Sequence, residues 1–371
     1  MLKNQEGNVS MYLKRNIYKE LFDWKQDSSH HLLEVTGARQ AGKTYIVNKF
    51  TDEHFRHKIY INLFEQSGHQ FLECFRLAID EASDTEYPEY SLRSAFQLFE
   101  PDFVDSDDMI IMIDEVQESA SIYNHIQKFN CYFQSRFILL SSYPGQLMKP
   151  EFESRNEDSV KLSVDTLSFE EFLQSYNENL YAQYLRLPSE PLQKNHICSN
   201  FKAAYDIYLQ IGGYPNVVKT YLEKQSIEKA RGALIKIIDT FTNESTRYFT
   251  DIQDARVFTQ IFLSICRIAG RKSRRITEGS IQREIQELIA QNDSIYVSRD
   301  TCNRVLDWLY FSGITDFCSE TARTDSVDFK PRGRSYCHFM DSGLANYYLS
   351  LTGLNPRLIL GIPNPENMMN L

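Results

Sequence analysis

Eight residues near the start of the chain, Gly37-Ala38-Arg39-Gln40-Ala41-Gly42-Lys43-Thr44, carry the spacing G-x-x-x-x-G-K-[ST] without a mismatch. Each residue type has a task at its position. Glycines let the backbone curl so that successive N–H groups converge on phosphate oxygens. A helix that starts behind the loop adds the partial positive charge of its N-terminus. Lys43 is a point charge that can reach β- and γ-phosphates, and the Thr44 hydroxyl can ligate Mg²⁺. The expected nucleotide-contacting set is therefore Gly37 to Thr44, with Tyr45 directly behind it. A chance glycine turn is the alternative; the apolar run before the loop and the helical pattern after it disfavour that reading.

A second constellation closes the run Met109-Ile110-Ile111-Met112-Ile113-Asp114-Glu115. A buried strand that ends in two adjacent carboxylates points them differently, so they can do different jobs. Asp114 is the expected Mg²⁺ partner beside Thr44, and Glu115 the expected general base for an attacking water. With Lys43 neutralising the departing phosphoryl group, Glu115 and Lys43 form the expected catalytic pair. The plainer alternative is that Asp-Glu only opens the next helix. A third run, Phe137 to Ser142, brings hydroxyls to the same sheet edge. Ser142 is expected to contact the γ-phosphate or the water, with a plain strand-end turn before Pro144-Gly145 weighed equally.

The elements that must position these residues follow from periodicity. Residues 11–27 place Leu13, Ile17, Leu21 and Trp24 near helical spacing. Strand-length apolar runs follow at Leu32–Thr36, Lys58–Leu63, Met109–Asp114 and Phe137–Ser141, with a fifth at Val160–Val164. Helical stretches separate them, which predicts a parallel sheet covered by helices on both faces. Ser168 with Glu171 predicts a capping box. Residues 185–196 read as a linker. Beyond it the pattern is mostly helical, broken at Gly212-Gly213-Tyr214-Pro215, with short strands near Gly313–Phe317 and Tyr336–Met340.

The totals narrow the class. The 371 residues carry a net charge of −10, so any nucleic-acid contact must be local rather than spread over the surface. Seven widely spaced cysteines without a CxxC pair disfavour both a disulfide framework and a zinc ribbon, and point to a reducing cytoplasm. No signal peptide and no membrane span are expected.

Several further stretches, MYLKR, GARQAGKT, IYINL, IDEVQES, LSFEEFL, IGGYPNVV, RYFTDI and CHFMDSGL, stand in an order that resembles the prokaryotic AAA-type ATPases with a C-terminal domain of unknown function. The resemblance covers residues 11 to 371. It implies an α/β fold, a P-loop NTPase parallel sheet with flanking helices, followed by a mainly helical, winged-helix-like C-terminal region. It implies a lead-in over 1–30, an ATPase domain over 31–180, a helical subdomain over 200–255 and a winged-helix-like domain over 256–371. It also implies ATP and Mg²⁺; the absence of an N-K-x-D motif agrees with adenine. Three departures stand out. Ser141-Ser142 replaces the family's usual Gly-Ser. The usual Gly-Arg or Gly-Lys before LSFEEF is missing, leaving Arg155 as the candidate. No nuclease-like constellation follows.

Two functional readings result: an Mg²⁺-dependent ATPase whose hydrolysis drives a conformational change, and a nucleotide-gated binding module with little turnover. An unknown protein partner is expected, and an oligomer would let a neighbouring subunit supply the missing arginine. The basic stretch from Arg267 to Arg283 reads first as a solvated face and second as a weak DNA contact. Gly212–Pro215 reads mainly as a helix end, and Asp341 as a turn after a strand.

Overall fold

A computed structural model of the chain describes residues 12–29, 31–82, 89–153, 159–186, 197–252, 254–269, 280–292, 295–319 and 335–353. The N-terminal half alternates strands and helices: α1 (Ile17–Gln26), β1 (Leu32–Thr36), α2 (Lys43–His54), β2 (His57–Asn62), α3 (Gln66–Ala82), α4 (Glu89–Phe99), β3 (Met109–Asp114), α5 (Ala120–Phe129), β4 (Arg136–Leu140), the single turn α6 (Pro144–Leu147), β5 (Ser159–Ser163) and α7 (Phe169–Tyr176). All five strands pair in parallel, in the order β2-β3-β4-β1-β5. Each of the five expected strands forms within one residue of its expected bounds.

The period-2 alternation of strand side chains divides the core. Ile111, Ile113, Phe137 and Leu139 face α3, α4 and α5, packing on Phe71, Phe96 and Ile126. Their neighbours Ile110, Met112, Ile138 and Leu140 face the other way, onto Leu21 and Trp24 of α1 and Val47 and Phe50 of α2. Every residue of β3 is buried. At about 1.5–3 kcal/mol for each fully buried large apolar side chain, these two layers hold the sheet against its helices. One polar residue breaks the pattern. Glu34 of β1 is buried, and it accepts from Tyr123 OH (3.1 Å), Gln127 Nε2 (2.9 Å) and Ser159 Oγ (2.7 Å). Three donors offset its desolvation.

The C-terminal half is mostly helical: α8 (Glu178–Tyr184), α9 (Ile197–Ile211), α10 (Pro215–Lys224), α11 (Ile227–Tyr248), α12 (Arg256–Ala269), α13 (Ser280–Asn292), α14 (Arg299–Phe311), the antiparallel pair β6 (Thr315–Ser319) and β7 (Ser335–Phe339), and α15 (Ser342–Leu351). One apolar cluster runs through it, from Leu167 to Leu349, and takes in Leu13 ahead of α1. The stretch between β6 and β7, on which a wing would depend, lies outside the described residues, as does most of the expected linker.

The two halves meet where three landmark stretches of the sequence converge. At the start of α7, Ser168 and Glu171 form the expected capping box. Leu167 N–H, just before it, donates to Gly213 O at 2.7 Å. Gly213 N–H donates to Asp341 Oδ2 at 2.7 Å, and Leu344 N–H to Asp341 Oδ1 at 3.0 Å. No side chain fits here: a Cβ on Gly213 would fall 2.1 Å from Leu167 O, and one on Gly212 2.2 Å from Asp341 Oδ1. Asp341 is therefore a buried cap of α15 that also ties down the glycine turn, where the sequence suggested only a turn after a strand. Burial pushes its carboxyl above the ordinary range, against the lowering effect of the backbone N–H donors.

Asp341→Ala leaves two buried N–H groups without an acceptor, at a cost of about 2–4 kcal/mol. Asp341→Asn keeps one acceptor and loses less. Urea unfolding midpoints measure both; an unchanged midpoint in Asp341→Ala would remove this residue from the joint.

Candidate active site

The sheet order places the C-terminal ends of β3, β4 and β1 side by side, so the residues that follow each strand share one edge. After β1 the chain turns through Gly37 (φ 137°), Gln40 (φ 65°) and Gly42 (φ 89°). A Cβ on Gly37 would lie 2.1 Å from Val164 O, so the loop lies backbone-on-backbone against the chain after β5. Gly42 is the left-handed N-cap of α2 and offers no side chain to its first N–H groups, which leaves those donors for an anion. Lys43 is buried, and its Nζ donates to Gly37 O (2.8 Å) and Ala38 O (2.9 Å). Burial lowers its pKa to about 8, against the raising effect of Glu115 and Asp114.

Across the edge, Thr44 Oγ1 donates to Asp114 Oδ2 at 2.7 Å, and Tyr60 OH donates to the same oxygen at 3.0 Å. Burial raises the Asp114 carboxyl above its ordinary range, with Thr44 and Tyr60 acting in the opposite direction. Glu115 follows in a left-handed conformation, φ 53° and ψ 43°, unusual for a residue with a side chain. Its Oε2 accepts from Gln117 Nε2 and from Ser142 Oγ, and its Oε1 lies 3.4 Å from Arg39 Nη1. Lys43, Thr44, Asp114, Glu115, Ser142 and Arg39 are thus brought together, with Ser142 on Glu115. Tyr45 lies outside this cluster, half exposed on α2.

Thr44 and Asp114 offer a hydroxyl and a carboxylate, the hard oxygen donors that suit Mg²⁺. No group of three or more His, Cys, Asp or Glu side chains able to hold a metal occurs among the described residues.

Segments distant in sequence complete the surroundings. Arg15 Nη1 donates to Ala41 O at 2.9 Å while its Nε bonds Glu171 Oε1 at 3.2 Å, and both side chains are only 7% exposed. Pro215 Cγ lies 3.3 Å from where a Gly42 Cβ would be, and Ala38 N lies 3.3 Å from the corresponding point on Gly313. Arg39 Nε forms an ion pair with Glu244 of α11. A cavity of about 200 Å³ opens beside Gly42. Leu13, Ile46, Tyr45 and Pro215 supply its apolar wall, and Arg15, Asn216 and Lys219 its polar groups. The glycine turn therefore faces the loop as well as ending a helix. Arg15, Tyr60, Asn216 and Glu244 are additions that no local spacing signals, although MYLKR and IGGYPNVV mark two of the segments. Arg155 lies outside the described residues, as do Arg271, Lys272, Arg274 and Arg275 of the basic stretch; Arg283 is exposed and paired with Glu287. Among the described residues no helix is long and apolar enough to cross a membrane.

Known proteins resemble both halves of the chain. Residues 29–173 match a family model described as an AAA domain, and residues 202–355 match one described as a domain of unknown function. An uncharacterized protein of Methanocaldococcus jannaschii is 23% identical over 197 residues, a match that spans 53% of this chain and 37% of the relative. Among solved structures, a Walker-type ATPase of Pyrococcus abyssi superposes with a TM-score of 0.53 at 13% identity, covering 91% of this chain and 96% of that one. The ORC1 protein of Aeropyrum pernix, solved in complex with DNA, gives a TM-score of 0.36 at 13% identity, covering 95% of this chain and 97% of that one.

The lowered pKa of Lys43 has a measurable sign. Above pH 8 the empty loop loses the lysine proton, whereas a bound polyphosphate restores it. Binding should therefore take up close to one proton at pH 9, and affinity should fall by up to about tenfold per pH unit above 8. Calorimetry of a non-hydrolysable Mg–ATP analogue in two buffers of different ionisation enthalpy reads the uptake directly. Zero uptake at pH 9 would mean that Lys43 is already charged in the empty loop.

Proposed function

From a chain that carries an AAA domain of the P-loop class joined to a C-terminal domain of unknown function, we propose an Mg²⁺-dependent ATPase whose hydrolysis shifts the helical region against the sheet domain. The observation that carries it is the meeting of Lys43, Thr44, Asp114 and Glu115 at one sheet edge, with Thr44 Oγ1 2.7 Å from Asp114 Oδ2.

In this reading the N–H groups from Gly37 to Thr44, with Ala38, Gln40 and Ala41 between them, cradle the phosphates. Lys43 leaves Gly37 O and Ala38 O and turns its charge on the terminal phosphoryl oxygens. Thr44 and Asp114 hold Mg²⁺, which when bound neutralises charge on the phosphate oxygens. Tyr60 keeps the Asp114 carboxylate aimed. Glu115 orients the attacking water and takes its proton, with Ser142 steadying it from β4. The cavity beside Gly42, with its apolar wall and Asn216 at its rim, takes the base. The free, buried thiols of Cys266, Cys302 and Cys337, pushed up to about 12, 11 and 12 by burial, suit a cytoplasmic setting.

A second reading, a nucleotide-gated module with little turnover, rests on one observation. Both oxygens of Glu115 are engaged, by Arg39 on one side and by Ser142 and Gln117 on the other, and these donors occupy the places from which an attacking water would have to reach it. An unknown protein partner, a neighbouring subunit or a weak DNA contact near Arg267 and Arg283 would be the recipient of the conformational change under either reading.

Steady-state phosphate release with Mg²⁺ tests the first reading. Lys43→Ala should abolish both nucleotide binding and release. Glu115→Gln should keep binding and lower turnover by about 10²–10⁴-fold. ATP bound tightly by the intact protein, with no release in any variant, would move the assignment to the gated module.

A further inference from the structure

Arg39 stands in the middle of the phosphate loop yet serves two carboxylates from different halves of the chain. Its Nε pairs with Glu244 Oε1, on α11 of the C-terminal domain, and its Nη1 lies 3.4 Å from Glu115 Oε1. The three side chains are 24%, 12% and 14% exposed, so solvent screens these contacts only in part. Glu244 also lies within electrostatic reach of Lys43, whose charged form it favours. A carboxylate from the second domain thus stands at the rim of the phosphate site, held there by a guanidinium of the loop itself. Two further contacts of that domain with the loop, Pro215 on Gly42 and Gly313 on Ala38, are uncharged.

We propose, building on the ATP-binding reading above, that Arg39 is an exchange residue: a terminal phosphate takes its guanidinium from Glu244. The chemistry favours the exchange in one direction. A γ-phosphate brings more negative charge and three acceptor oxygens, and a planar guanidinium meets phosphate with paired N–H groups. The same negative charge repels Glu244, which weakens the hold of α11 on the loop. A diphosphate ends one phosphate short and leaves the pair with Glu244 in place. Loss of Arg39 also frees Oε1 of Glu115 for water. Triphosphate binding would in this way loosen α11 and release the general base in one step. Arg39 acts here as a positioning residue supplied by the loop itself.

A double-mutant cycle on nucleotide affinity tests the exchange without requiring turnover. Calorimetry with Mg²⁺ compares a non-hydrolysable ATP analogue with ADP on the intact protein, Glu244→Gln, Arg39→Met and the double variant. Glu244→Gln keeps the shape of the side chain and removes the competitor, so it should tighten the triphosphate by about tenfold and change ADP by less than twofold. Arg39→Met should weaken the triphosphate, and in that background Glu244→Gln should have no effect. Hydrogen exchange adds a structural readout: amides of α11 should lose protection with the triphosphate analogue and keep it with ADP. The exchange is overturned if Glu244→Gln alters both nucleotides alike, if its effect survives in Arg39→Met, or if α11 protection ignores the third phosphate. An intact protein that binds neither nucleotide would instead overturn the ATP-binding reading, and the exchange with it.

Discussion

The loop between β1 and α2 is held by close contacts from several segments. The Val164 carbonyl occupies the space where a Gly37 side chain would be, Arg15 holds Ala41 O, Pro215 lies on Gly42, and Gly313 approaches Ala38. This close backbone packing is the constraint from which the rest of the molecule follows. A loop that must present its N–H groups inward to an anion has to be held from outside, and here the holding groups come from the N-terminal lead-in, the chain after β5 and the C-terminal domain. The sheet fixes where the loop begins and α2 where it ends. Its shape between those points depends on segments as far apart as Arg15 and Gly313.

Electrostatics follow from the same packing. Lys43 is buried, and its ammonium donates to two carbonyls of the loop, Gly37 O and Ala38 O. Its depressed pKa and the raised pKa of Asp114 share one cause, burial, acting on opposite charges. Thr44 and Tyr60 hold Asp114 in place. In the reading proposed above, a polyanion near Lys43 and a cation near Asp114 would each offset the desolvation of a group already there. Glu115 stands apart from this pair: its partners are donors from the loop, from β4 and from its own turn, so its availability as a base depends on where those donors go.

The sheet and the phosphate loop were legible in the sequence because their signals are local. Alternation over five or six residues sets a strand, and glycine spacing sets the loop; β1 and β3 have the bounds that their apolar runs suggest. Asp114 and Glu115 were legible because they end such a run. The helices α3 and α4 have apolar faces but no chemistry to draw notice. Arg15, Glu244 and Pro215 reach the loop only through tertiary folding, across separations that no periodicity encodes. Asp341 is the clearest case. Next to Gly343 it has the composition of a turn, and only the arrival of Gly213 from 128 residues away turns it into a buried joint. The stretches LSFEEFL, GGYP and MDSGL read as separate landmarks along the chain, yet they are one contact in space, through Leu167, Gly213 and Asp341.

That contact and the Arg39–Glu244 pair differ in how easily each can be broken. The joint at Asp341 is buried and built on backbone N–H donors, with glycines that leave no room to slide. Opening it would strand polar groups away from water. The pair at Glu244 is partly exposed and made of two long side chains, so it can break and be replaced by hydration or by a new anion. A firm joint beside an ion pair that can break makes the boundary between the halves uneven in how readily its contacts yield. The joint lies next to α7 and the glycine turn, the ion pair between α11 and the loop. Under the exchange proposed above, the hold on α11 at Glu244 would weaken while the joint through Leu167, Gly213 and Asp341, the Tyr143–Tyr248 ring contact and the packing of Phe311 on Gly145 stay in place.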